Sequence, residues 1–139
     1  MRNLIERIKG INSLYIFRQE LKEGIAEIVS FYHVKIYLIL LLVLNLLIWF
    51  FSYRISSKAS QDLVILHYNV DFGVDLVGNI RQIYIIPLLG VIIFFANFFL
   101  LLIVERDKKF LSHLLFITAI ACNVFLLASL SLVYIVNFK

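Results

Sequence analysis

The stretch IYLILLLVLNLLIWFFSY, Ile36 to Tyr53, decides the fold. It runs 18 residues without a formal charge. About 20 apolar residues, rising 1.5 Å each in a helix, cover the ~30 Å hydrocarbon core of a bilayer. A helix also satisfies its backbone polar groups internally, as lipid requires. The run therefore predicts a membrane span. It begins after 35 residues and is longer than the apolar part of a signal peptide, so a retained anchor is expected.

Two further runs of the same kind follow. IYIIPLLGVIIFFANFFLLLIV covers Ile83 to Val104, and HLLFITAIACNVFLLASLSLVYIV covers His113 to Val136. Neither carries Asp, Glu, Lys or Arg. The chain has 139 residues, 63% hydrophobic and 16% charged, with a mean hydropathy of +0.98. A water-soluble domain is nearer half apolar, so too few polar residues remain to build a wetted surface. The expected fold is an all-α integral membrane protein with three transmembrane helices, an N-terminal amphipathic interfacial helix and a small, partly β outer loop. Residues 1–35 form the arm. Residues 36–139 form the membrane domain, with spans at about 36–53, 83–104 and 113–136, an outer connector 54–82 and an inner connector 105–112.

The formal net charge is +4. Because the basic residues flank apolar runs, the expected partner is the bilayer surface. No motif supports nucleic-acid binding. The single Cys122 excludes an internal disulfide. Direction follows from lysine and arginine. Arg2, Arg7, Lys9, Arg18, Lys22, Lys35, Arg106, Lys108 and Lys109 fall on one side, and Arg54, Lys58, Arg81 and Lys139 on the other. Nine against four predicts a cytoplasmic N-terminus and an extracytoplasmic C-terminus in a multi-pass cell-membrane protein. Tyr37, Trp49, Tyr53, Tyr84 and Tyr134 fall near span ends, where amphipathic rings favour the interface.

In the arm, Leu14, Phe17, Leu21, Ile25, Ile28 and Tyr32 recur at helical spacing. Arg18, Glu20, Lys22, Glu23 and Glu27 fall mostly off that stripe, as in a helix lying in the interface. Gly24 costs such a helix about 1 kcal/mol without breaking it. Gly10 is expected to divide it from a short first turn, Asn3 to Lys9. The arm reads as an interfacial lead-in to the first span, with docking of a partner or lipid sensing as the functional alternative.

Each span carries one asparagine, Asn45, Asn97 and Asn123. Counted from the inner boundary, all three lie roughly 10–15 Å deep. A lone amide in hydrocarbon seeks a partner, so the three are expected to bond one another between helices. A polar niche for an ion or substrate is the alternative. No span contains an acid, lysine or arginine to drive charge movement. Gly90, Ala96, Ala119, Ala121, Cys122, Ala128, Ser129 and Ser131 give room for close helix approach. Pro87 should bend the second span or mark its true first turn, leaving 80–86 as an approach segment. Neither Ser129 nor Cys122 has a base in reach of sequence inference. No nucleophile–base pair, metal triad or cofactor cradle is evident, so no enzyme and no cofactor is expected.

The outer connector is 29 residues long. LVILHYNV reads as a strand that must find a second strand, a second subunit or a membrane surface. Gly73 and the pair Gly78–Asn79 mark turns. His67, Asn69 and Asp71 would alternate onto one strand face, with Asp75 beyond, making His67, Asp71 and Asp75 candidate metal ligands. An Asx turn with a surface histidine explains the same residues. The triplet Asp71-Phe72-Gly73 is not a kinase motif, because the lysine, glycine-rich loop and catalytic loop are absent.

His67, Tyr68, Asn69, Gly73 and Asp75, followed by the span with Pro87, resemble the opening unit of a bacterial membrane family. That family is of largely unknown function and includes immunity proteins against a secreted killing factor. The resemblance covers roughly residues 36–104. The glycine stands one place late, and Leu66 replaces the family's proline. It implies a bacterial origin and a sensing, immunity or accessory role, with recognition through the outer loop. From the residues themselves, the leading expectation is a structural, assembly or accessory protein in a homo- or hetero-oligomer. The alternative is a transport, sensing or immunity component that binds a ligand through residues 63–78.

Overall fold

A computed structural model describes residues 2–59, 63–69, 71, 73–104 and 107–138, with side chains described for these except residues 2–14, 67–69 and 75. Helix α1 spans Arg2–Ser30 and α2 spans Tyr32–Lys58. Strands β1, Leu63–Asn69, and β2, Gly73–Asn79, follow. A 3-10 turn over Ile80–Tyr84 leads into α3, Ile85–Ile103, and α4 spans Lys108–Phe138. Among the described residues, three helical segments are long and apolar enough to cross a membrane: Tyr32–Lys58, Ile80–Ile103 and Lys108–Phe138. The protein is a multi-pass membrane protein. Helices α2 and α4 outrun their charge-free cores. At 1.5 Å per residue α2 is about 40 Å long, so its polar ends project past the hydrocarbon.

The arm is one continuous helix that passes through Gly10. A single glycine costs about 1 kcal/mol, too little to end a helix on its own. The break comes at Phe31, whose extended backbone (ψ 124°) separates α1 from α2. The buried face of α1 is narrower than the expected stripe. Ile28 is fully buried, and Leu21 and Gly24 are partly covered. Phe17, Ile25 and Tyr32 are exposed.

Helix α4 is the centre of the bundle. It packs along both α2 and α3, whereas α2 and α3 touch each other less. Two apolar clusters hold the three together. One, at the arm end, gathers Ile28, Val34, Leu41, Leu101, Phe116 and Ala119. The other, at the hairpin end, gathers Ile48, Ile55, Ile83, Leu130 and Val133. Of the small residues expected to seat helix contacts, Gly90 and Ala119 are buried. Ala96, Ala121, Ala128, Ser129 and Ser131 instead face outward.

The partner of β1 comes from the same connector. β1 and β2 form a two-stranded antiparallel sheet, with Leu63 opposite Asn79 and Asn69 opposite Gly73. Register slips on either side of His67 interrupt the alternation. The simple two-face reading of β1 therefore ends at Ile65. Gly73 has φ +82°, a left-handed conformation open to glycine at little cost. Beyond the hairpin, Asn79 caps the 3-10 turn, its Oδ1 accepting from Arg81 N at 2.9 Å. Pro87 stands in the first turn of α3, where its missing N–H leaves no helical bond unmade. It marks the true start of the α-helix, one of the two outcomes expected for it.

Candidate functional site

Midway between the two apolar clusters lies a polar level. Asn45 Nδ2 donates to Pro87 O at 3.2 Å, tying α2 to the first turn of α3. Asn123 Nδ2 donates to Ala119 O, one turn back on its own helix, at 2.9 Å. Its Oδ1 is buried with no hydrogen-bond partner among the described residues. Between the two amides stands Gly90. A Cβ there would lie 2.6 Å from Asn123 Oδ1 and 2.7 Å from Asn45 Nδ2, closer than any real side chain tolerates. Glycine is thus required for Asn45 and Asn123 to converge. In front of it a cavity of about 340 Å³ lies between α2 and α3.

Of the three asparagines expected to serve one another, the structure brings two together. Asn97 Nδ2 donates to Ile93 O at 2.8 Å within α3 and does not line the cavity. Counting residues from the boundary gave its height but not its azimuth around the helix. Asn45 and Asn123 converge on Gly90 but do not hydrogen-bond each other; the interhelical bond runs from Asn45 to a backbone carbonyl.

A second polar cluster, unanticipated from sequence, sits at the arm end. His33 and His113 stack with ring centroids 3.9 Å apart and planes 15° from parallel. His33 Nε2 is 2.8 Å from Ser112 Oγ, and Tyr37 Oη is 2.7 Å from His113 Nδ1. Ser112 Oγ donates its one proton to Lys109 O at 2.7 Å. His33 Nε2 must then carry the proton of its own bond to Ser112. That is the reverse of a nucleophile–base pair, and Ser112 is fully buried. The arrangement clamps the first turns of α2 and α4. The signal available in the sequence was the pair His33 and His113 at one predicted boundary. Beside it, Lys108 Nζ donates to Glu27 Oε2, joining α1 to α4.

The hairpin is fixed to the bundle by Asn137, which sequence reasoning also missed. Its Oδ1 accepts from Ile65 N at 2.9 Å, and its Nδ2 donates to Ile65 O at 2.7 Å. The same Nδ2 reaches Val133 O at 2.8 Å. In an antiparallel sheet one residue's N–H and C=O point the same way, so Ile65 turns both away from β2. The Asn137 amide takes the place a neighbouring strand would occupy. Val74, Leu76 and Val77 of β2 and Leu63 of β1 are exposed.

The outer-loop recognition residues are only partly placed. Gly73 opens β2, and Asp71 is exposed in the turn. Backbone pairing sets His67 opposite Leu76 and Tyr68 opposite Val74. The side chains of His67, Tyr68, Asn69 and Asp75 lie outside the described residues, and with them two of the three candidate metal ligands, His67 and Asp75. Among the described residues, no three His, Cys, Asp or Glu gather to hold a metal. At the hairpin end, Trp49 and Tyr84 pair at 5.9 Å, and Lys58 Nζ donates to Tyr134 Oη at 3.0 Å. In comparisons with known proteins, no family model, curated protein or solved structure matches the chain.

Proposed function

We propose that the chain is a non-enzymatic assembly or accessory protein of a bacterial cell membrane, with its hairpin outside and its arm in the cytoplasm. It acts by pairing its outer hairpin with another membrane protein or a second copy of itself. The observation that carries this reading is the hairpin itself. It is tied to α4 through both polar groups of Ile65. Yet β2 is the outer strand of a two-stranded sheet, with Val74, Leu76 and Val77 exposed. An isolated two-stranded hairpin is marginal in water, and an open edge with apolar side chains suits strand addition. The nine basic residues on the arm side support the orientation.

The test is mild cross-linking in native membranes, purification of the tagged full-length chain and identification of what remains attached. Leu76→Glu and Val77→Glu should leave abundance unchanged and release the attached protein. An attached set identical in both variants and the parent would overturn the reading. The resemblance to the family with immunity members favours a second reading, in which the loop receives a ligand or toxin. There, alanine at His67, Asn69 and Asp75 would abolish protection at normal abundance. Loss of the protein itself would instead mark those residues as structural.

A further inference from the structure

We infer that the cavity in front of Gly90 is a binding site for a small, neutral, membrane-dissolved alcohol or phenol. Its walls are apolar, with Leu38, Leu42, Val91, Phe94 and Phe95 among them. Its volume, about 340 Å³, falls in the range of small-molecule pockets. Leu42 and Phe95 are also exposed at the surface, so the cavity communicates with the lipid. Its polar end is specified. A carbonyl can only accept, so the bond to Ala119 O fixes which end of Asn123 is nitrogen. The buried Oδ1 is left as an acceptor needing a donor. The bond to Pro87 O fixes Asn45 likewise and leaves its second Nδ2 hydrogen as a donor. A hydroxyl meets both, donating to Asn123 and accepting from Asn45.

Other occupants satisfy fewer of these features. A phospholipid chain has no donor at this depth. An ion would lack a charged residue, since neither the cavity wall nor the charge-free span cores supply one. One water, with a liquid volume of about 30 Å³, would answer the amides but leave most of the space empty. Gly90 keeps the polar end open, because any side chain there would fill it.

The probe is naphthol, compared with its methyl ether, which has nearly the same shape but no donor. The full-length chain is purified in neutral detergent, and binding is read by equilibrium dialysis against a micelle blank. Naphthol should bind saturably, one per chain, at least tenfold more tightly than the ether. Asn123→Leu and Gly90→Ala should abolish that preference, and Asn97→Leu, outside the cavity, should keep it. Equal affinity for the two probes in the unaltered chain overturns the proposal without recourse to any variant. So does a preference that survives in Asn123→Leu. Disulfide formation between copies carrying Leu42→Cys and Val91→Cys, blocked by neither probe, would assign the groove to a second copy instead.

Discussion

Asn137 and Ser52 show how differently two polar side chains at the hairpin end act. Asn137 answers a backbone N–H and a backbone C=O that would otherwise stay unpaired on the outer edge of β1. Losing both bonds should cost about 1–3 kcal/mol of hairpin docking. Asn137→Ala is expected to speed amide exchange across residues 63–79 about tenfold or more, with α2 and α4 unaffected; equal protection in both proteins would refute the anchoring role. Ser52 is the opposite case. It is fully buried, and its Oγ has no partner among the described residues. Removing an unsatisfied hydroxyl while keeping the shape is neutral or favourable. Ser52→Ala should therefore raise the midpoint of thermal unfolding in detergent or leave it unchanged. A lowered midpoint would reveal a hydrogen bond that the static arrangement does not contain.

At the scale of elements, α1 docks by close approach. A Cβ on Gly24 would meet Leu102 Cδ2 at 3.3 Å, and Ile28 is sealed one turn on. Gly24→Trp cannot fit that seam, although tryptophan is the better helix former. The arm should remain helical but leave α3, so trypsin should cut at Arg18 and Lys22 severalfold faster. Gly24→Ala should retain protection, since a leucine methyl can yield a few tenths of an ångström and the helix gains about 1 kcal/mol. Unchanged cleavage in the tryptophan variant would place α1 away from α3. The spans were legible because long charge-free runs admit few other structures, and the later part of α1 was legible from its periodicity, whereas its continuity through Gly10 was not. Strand β2 was not. Two glycines and an acid in GVDLVGN hide a strand that exists because β1 lies beside it. Asn45 and Asn123 were legible as amides within the spans, but their meeting at Gly90 depends on helix rotation, which residue counting does not supply. Asn137 was hidden altogether, because its partner is backbone 72 positions away.

For the whole molecule, the two ends of the bundle are tied differently. Glu27 and Lys108 join the arm to the start of α4, while Asn137 and Ile65 join the hairpin to the end of α4. The arm and the start of α4 therefore share one end, and the hairpin and the end of α4 share the other. In the topology proposed above, three crossings put the two termini in different compartments. The charge count then selects which is which, because lysine and arginine resist translocation far more than acids do. A fluorescent protein that matures only in the cytoplasm should shine when fused before Arg2 and stay dark when fused after Lys139. An exported phosphatase should behave in the reverse sense at the same two positions. Neutralising the six arm cations with glutamine leaves three basic residues on that side against four on the other. That near balance should give a mixed population, with phosphatase activity at the C-terminus falling by half or more. If both reporters work at both ends in the unaltered chain, orientation is not set by charge. If one reporter works at both termini and the other at neither, the chain crosses lipid an even number of times. One of the three helices would then lie outside the bilayer, and the hairpin would lose its assignment to the outer face.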